Sequence, residues 1–429
     1  GFRSDSKISE SGNLTVQGDV YRLDGNTDYS IPDLTSMTLY SPSEGVKAKG
    51  ANIIGRWDEK LASDSEASLQ MYFDRAERKT TFFNDTTNTF DVDFQHAWTR
   101  WQGHEVVWGT GYRLIRSEND PASAQYSLAP QSRSDNLFNA FVQDKMPIYE
   151  NELFLTLGSK FEHNDYTGIE IQPSARLSWL PTDNQTIWAS VSRAVHTPSR
   201  FTDDGTQSLG VVPAGGGNFV LYTFSGNRTL DSEELLAYEL GYRVQPTPAL
   251  SFDATAFYND YSKLFLGTLN GGPIALGGPL FQQYVTVING TSAYSTGMEI
   301  SSKWNVSNNW QLAGAYSYIN MVLDDKTNLG FSVVGKHPRH QFNARSSYTI
   351  MEGLELNNAL YYADDLTGVG VTDYFRFDAG LSYKAMQGVE VSLIGQNLFE
   401  DQHQEFSAFS YQSATTVGRS VLGIVRVEF

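Results

Sequence analysis

The 429-residue sequence contains no cysteine, which removes disulfides and thiol catalysis from consideration and is compatible with an oxidising compartment. It also lacks any run near the ~18 to 20 uninterrupted apolar residues that a membrane-spanning helix requires, so a helical membrane protein is excluded. A spanning β-barrel is not, because barrel strands need only ~9 to 11 residues and alternate outward-apolar with inward-polar side chains. Basic residues are scarce: 31 Lys and Arg stand against 49 Asp and Glu, a formal net charge of −18. Nucleic acid and anionic membrane surfaces demand a basic patch, and neither is expected as a general partner. No segment sustains a 3.6-residue apolar period, so helices are at most decorations. The opening "GFRSDSKISE" lacks the basic, apolar and small-residue regions of a signal peptide and starts without methionine inside what reads as a strand. The chain is therefore expected to be the remainder of a longer precursor.

What the sequence has in abundance is aromatic residues, with Tyr 23, Phe 25 and Trp 8, and two-residue alternation. A chain of this length exceeds one ordinary compact core, and this composition favours one large closed sheet over several domains. In "LSFDATAFYNDY", Leu250, Phe252, Ala254, Ala256 and Tyr258 face one way, and Ser251, Asp253, Thr255, Asn259 and Tyr261 the other. "LAYELGYRV" and "VEVSLIGQ" split in the same manner. The final "VLGIVRVEF" sets Val421, Gly423, Val425, Val427 and Phe429 against Arg426 and Glu428, with the apolar face running to the last residue.

Connections alternate in length. Short ones fall at "ISESGN", "KLASDS", "WQG", "YENE", "PTDN", "PTPA", "NVSNN", "MEG" and "AMQG", rich in turn formers. Mostly longer ones lie between them: residues 25–47, 118–132, 196–232, 265–282, 323–335 and 400–415. Short turns at one end and long loops at the other mark an outer-membrane barrel of about nineteen strands. Single-chain bacterial barrels have even strand numbers with both termini at the short-turn end. The first and last segments here both run toward that end, so at least one upstream strand is expected to be missing, and about three for the ~22-strand size class.

These elements, taken in order, resemble the barrel of a TonB-dependent outer-membrane receptor across essentially the whole chain, residues 1–429. The resemblance rests on "GSKFE" leading to "PSARLSWLP" and then "ASVSRAVHTP" before a long loop, on "LDSEELLAYELGYR", on "GQNLFEDQH", and on the terminal strand with Val425, Val427 and Phe429. It implies a 22-stranded barrel, an N-terminal plug inside it, and a short box that contacts the TonB complex. Plug, box and the first strands are absent from this sequence. It further implies an outer-membrane location among lipid and lipopolysaccharide, and recognition of Val425, Val427 and Phe429 by the barrel assembly machinery. The implied activity is ligand-gated, TonB-energised import of a scarce nutrient, with a ferric siderophore or related metal complex as the leading substrate. A passive porin-like channel is the alternative and an outer-membrane enzyme a distant third. No cofactor is implied.

Residue by residue, the sequence offers binding chemistry and little else. Inward polar positions such as Lys160, Glu162, Glu239, Arg243, Asp253, Glu390, Arg426 and Glu428 either contact a plug or ligand, or wet the lumen and pair across strands; the second reading is favoured. Arg193 shares the lipid face with Ile187, Ala189 and Val191, where snorkelling to lipid phosphates is the plain reading. In "KHPRH", His337 and His340 fall on opposite faces of a strand, which disfavours a metal site, whereas Lys336, His337 and Arg339 form a basic spot for an anionic ligand. The pairs Asp203–Asp204, Asp324–Asp325 and Asp364–Asp365 suit calcium, or more commonly solvated turns. Long loops carry Phe201, Tyr222, Phe224, Phe265, Phe281, Tyr284, Phe406, Phe409 and Tyr411, half expected as loop packing and half as a stacking surface for a large ligand. Loop 196–232 is the longest and holds "AGGG". The candidate ligand contacts are Arg200, Phe201, Tyr222, Phe224, Arg228, Phe281, Tyr284, His337 and Arg339. No nucleophile, acid pair or metal cluster of credible geometry supports catalysis.

Overall fold

The computed structural model describes residues 1–29, 31–33, 38–40, 43–100, 103–150, 152–324, 335–407 and 413–428. Asp325, Phe409, Tyr411 and Phe429 lie outside the described residues.

Alternating segments become strands because each can turn one face to apolar surroundings and the other to polar ones. Among the described residues one sheet joins 22 strands. Three of them, Tyr126–Leu128, Gly205–Gly215 and Asn218–Ser225, belong to connections at one end. The other nineteen form an up-and-down antiparallel meander from Phe2–Lys7 to Ser420–Val427, matching the strand count read from the sequence. All nine short turns lie at one end of it. At the other end the connections are mostly long, although Lys79 to Phe83 and Asn164 to Gly168 are tight. The sheet curls far enough for Ser413, before the last strand, to donate its N–H to the carbonyl of Asp28 (3.2 Å), the last residue of the second strand. Among the described residues, Phe2–Lys7 and Ser420–Val427 each pair with one neighbour.

Residues 265–282, expected to be a loop, are largely strand. Leu250–Gly277 and Leu280–Ser307 form a hairpin with 28 residues on each arm. Its upper part gains a second neighbour, because Phe219–Ser225 pairs parallel with Leu280–Thr286. Backbone groups that a bare loop would leave to water are thereby paired.

Apolar side chains of the wall point outward and stay exposed, whereas most buried ones gather at the long-loop end. Tyr29, Ile31 and Phe82 form one cluster there, and Phe224, Leu230 and Val287 another. On the outward face, Tyr238, Tyr258 and Tyr294 line up across three adjacent strands with ring centroids 6.2 and 6.1 Å apart. Near the short turns, Trp304 and the pair Trp310–Tyr348 (6.3 Å) mark a second aromatic level. Between the levels, Met298 and Ile300 are exposed. From Tyr294 to Trp304 the strand rises roughly 33 Å, which at an inclination of about 40° gives an apolar belt about 25 Å tall, the height that membrane barrels present to lipid. Val425 and Val427 lie opposite Val391 and Val389 on this outward face.

The inner face is polar and paired. Arg243 donates to Asp253 on the neighbouring strand (2.5 Å), Lys160 to Glu162 (2.7 Å), and Ser190 to Glu239 (2.9 Å).

Candidate functional site

Loop 196–232 bridges the mouth. Ser199 caps helix α1 (Arg200–Asp204), its side chain accepting the Thr202 N–H, and the chain then enters the hairpin Gly205–Gly215 and Asn218–Ser225. Gly215, Gly216 and Gly217 turn that hairpin with φ of 81°, 60° and 80°, values that glycine adopts without a Cβ penalty. One edge pairs Gly205–Gln207 with Leu128–Tyr126, in the connection after strand His104–Pro121. The other edge pairs with Leu280–Thr286. Six wall strands separate these attachments, from Ser132–Tyr149 through Leu250–Gly277, so the hairpin is a strap across the opening.

Buried charge fastens one end of the strap. The Asp204 side chain is wholly buried, and an unpaired carboxylate there would be costly. Arg133 Nη1 lies 2.8 Å from it and also donates to Asp203, while Arg133 Nε reaches Asp135 at 2.6 Å. Arg228 Nε adds a 2.8 Å bond to Asp204. Arg200 donates to Ser117 Oγ (2.5 Å) and to the Pro130 and Gln131 carbonyls (2.6 and 2.8 Å). The Arg133 guanidinium covers the Tyr166 ring at 4.4 Å, and Tyr166 Oη donates to Asp135 (3.1 Å). Burial, reinforced by the Asp135 charge, pushes the Tyr166 hydroxyl well above its ordinary pKa. Beside the latch, Phe201 stacks between Tyr126 (5.6 Å) and Phe224 (4.6 Å), and Phe224 packs on Leu230 and Val287.

The candidate contacts therefore separate into two groups. Arg200, Phe201, Phe224 and Arg228 are engaged in the strap's own packing and ion pairs. Tyr222, Phe281, Tyr284, His337 and Arg339 are half-buried or exposed. Register puts Tyr222, Phe224 and Phe281 on one face of the strap sheet, because Val220 lies opposite Phe281 and Tyr222 opposite Gln283. Tyr284, opposite Thr223, is on the reverse face. His337 and Arg339 enter strand His340–Met351, two strands beyond the one on which the strap lands.

Other sequence readings resolve as well. Asp203 and Asp204 are neither solvated nor free for calcium, since arginines neutralise them. Asp364 accepts the Tyr362 hydroxyl (3.4 Å). Among the described residues no group of three or more His, Cys, Asp or Glu is placed to hold a metal. Arg193 does not reach out alone for lipid: its Nη2 lies 3.2 Å from Glu234 and 3.7 Å from Glu170. Glu234 in turn receives Lys263 (2.9 Å), whose hydrogen bond, with the Arg193 charge, holds its carboxyl below the ordinary range.

One feature of the mouth was missed from the sequence. A cavity of about 370 Å³ opens on the inner wall, lined by Leu235, Tyr261, Phe265, Met321 and Leu323 among others, with His196 and Glu233 at its rim. Register puts these apolar side chains inward, since Leu235 lies opposite Ala194 and Tyr261, Tyr261 opposite Ala293, and Ala293 opposite Leu323. The signal was available, because Leu235 and Tyr261 occupy positions that alternation assigns to the polar face.

A family model described as TonB dependent receptor-like, beta-barrel, matches residues 2–398. No curated protein sequence matches the chain. Among solved structures, a mutant ferric enterobactin receptor from Pseudomonas aeruginosa, in complex with enterobactin, aligns over 99% of this chain and 69% of its own at 17% identity, TM-score 0.72. The siderophore receptor PirA from Acinetobacter baumannii aligns over 100% and 70% at 14% identity, TM-score 0.75. The ferric-catecholate import receptor Fiu from E. coli K12 aligns over 99% and 73% at 14% identity, TM-score 0.74. At these identities the likeness is one of fold.

Proposed function

Since this chain belongs to the TonB-dependent receptor-like β-barrel family, a family of receptors and transporters and not of enzymes, we propose that it forms the wall of an outer-membrane importer for a ferric siderophore. The observation that carries this reading is the strap. A passive channel needs an unobstructed mouth, whereas this mouth is bridged by a hairpin that carries Tyr222 and pairs with the strand carrying Phe281, a surface suited to hold a ligand before passage. The solved neighbours, receptors for ferric enterobactin, a siderophore and ferric catecholate, support the same substrate class.

In this reading the belt from Tyr294 to Trp304 sits in the outer membrane, the strap faces the medium, and lipopolysaccharide surrounds the outer aromatic level. Tyr222, Phe281, His337 and Arg339 contact the chelate: aromatic rings stack on a planar ligand, and the cations offset its negative charge in an otherwise acidic protein. Energy comes from the TonB complex, and Val425, Val427 and Phe429 serve the assembly machinery.

Two measurements test the proposal. Because the chain has no cysteine, a single thiol at Gly216 or at Asp183 reports sidedness; an impermeant reagent on intact cells should label Gly216→Cys and spare Asp183→Cys. Producing cells should also accumulate iron-55 from a ferric siderophore only while the proton gradient is maintained. Accumulation that survives an uncoupler, with solute-size-limited swelling of proteoliposomes, would instead identify a porin-like channel.

A further inference from the structure

We infer that the inner-wall cavity of Leu235, Tyr261, Phe265, Met321 and Leu323 takes an uncharged apolar arm of the captured ligand, an acyl chain or an aryl ring, a reading that rests on ligand capture at the mouth. Elsewhere the inner face carries Lys160, Glu162, Ser190 and Glu239, as a hydrated interior demands. Five apolar side chains converging on that face from three wall strands run against the rule, and apolar surface turned toward a watery lumen is costly unless something covers it. At about 370 Å³ the cavity has the size of a small-molecule site.

Its rim decides what kind of group enters. His196 Nδ1 lies 2.7 Å from Glu233, and the other oxygen of that carboxylate accepts the Phe265 N–H at 2.6 Å. The carboxylate is thus already engaged, and its charge disfavours an anionic iron-chelating head. Among the described residues no Lys or Arg lines the cavity. The head is left to the cations elsewhere at the mouth, and the cavity to the part of the ligand without charge. Depth fits as well: His196 ends its strand, Glu233 begins the next, and Leu323 ends a third, so the cavity opens at the level where ligand first arrives. Phe265 lines the cavity and also packs against the Phe224, Leu230 and Val287 cluster. An occupied cavity therefore touches the foot of the strap.

The absence of cysteine makes the test direct. In outer membranes of cells producing the receptor, Met321→Cys or Leu323→Cys is exposed to a charged methanethiosulfonate, with octanohydroxamic acid or acetohydroxamic acid present, each iron-free and iron-loaded. The octanoyl compound should slow modification about tenfold at a concentration at which the acetyl compound hardly slows it, because burial of the additional methylenes tightens its binding. Ala194→Trp, which fills the cavity, should abolish the difference. Heat-modifiable migration on gels verifies that each variant is folded, and Leu323→Cys, at the edge, carries the test if Met321→Cys does not assemble. Equal protection by the two acids, no protection by either, or a thiol that never reacts each overturns the inference. Iron-55 uptake is measured separately. Its loss with protection intact removes the import reading and leaves the cavity's specificity standing, and uptake without chain-length-dependent protection does the reverse.

Discussion

Arg133 and Asp204 are 71 residues apart in sequence and meet at 2.8 Å, the carboxylate wholly buried and the Arg133 side chain 17% exposed. That contact ties a strap across the mouth to the wall, and it sets the first expectation. Removing Arg133 takes away the cation that Asp135, Asp203 and Asp204 share, leaving buried carboxylates underpaired, a loss of the kind that costs roughly 3 to 5 kcal/mol. Arg133→Ala should therefore release the strap locally while the barrel stays assembled. Limited proteolysis of intact cells should cut within 205–225 in the variant and not in the parent; equal resistance would show that the aromatic stack alone holds the strap.

The apolar belt predicts a depth-dependent penalty. Met298 faces outward midway between Tyr294 and Trp304, so Met298→Arg should destabilise the assembled barrel by about 2 to 4 kcal/mol. Glu299→Arg, facing the hydrated interior one residue on, should cost much less. Urea titration in lipid vesicles, followed by gel migration, compares the two.

Ligand contact should divide along the two groups of mouth residues. Tyr222→Ala, Phe281→Ala and Arg339→Ala should each weaken ferric siderophore binding to cells by ~1 kcal/mol or more without changing protease sensitivity of the strap. Phe201→Ala and Phe224→Ala should change both, because those rings pack the strap itself. If these variants bind like the parent while Lys160→Ala or Glu239→Ala abolishes binding, capture occurs deep in the barrel.

Acid should loosen one side of the mouth. Glu234 lies beyond the Tyr238 level, and its carboxyl is held below the ordinary range by Lys263 and Arg193. A carboxyl with a depressed folded pKa contributes stability that is fully present above its unfolded value, about 4.3, and is lost as pH falls through the folded value. Amide exchange in residues 262–266 should accelerate as pH is lowered below about 4, after correction for intrinsic rates, and Glu234→Gln should flatten that dependence.

The sequence by itself determined the wall. Side-chain alternation has a period of two, so the faces of "LSFDATAFYNDY" or "LAYELGYRV" follow from composition once the surroundings are apolar outside and wet inside. Turn formers at nine sites fixed the strand count, because a tight turn is a local event. Tertiary structure alone decided the mouth. Residues 265–282 read as loop although they pair antiparallel within the hairpin Leu250–Gly277 and Leu280–Ser307, because the second neighbour that this upper part gains, Phe219–Ser225 against Leu280–Thr286, is long-range and parallel, and nothing local announces it. Arg200, Phe201, Phe224 and Arg228 were legible as an aromatic and cationic set, but whether such a set meets ligand or packs on itself depends on partners such as Ser117, Tyr126 and Ala129, distant in the chain. The apolar cavity lay half-visible in the alternation of Leu235 and Tyr261. Only the register between four strands gathers them with Met321 and Leu323, since a side chain's face is set by its own strand but its neighbours are set by the sheet.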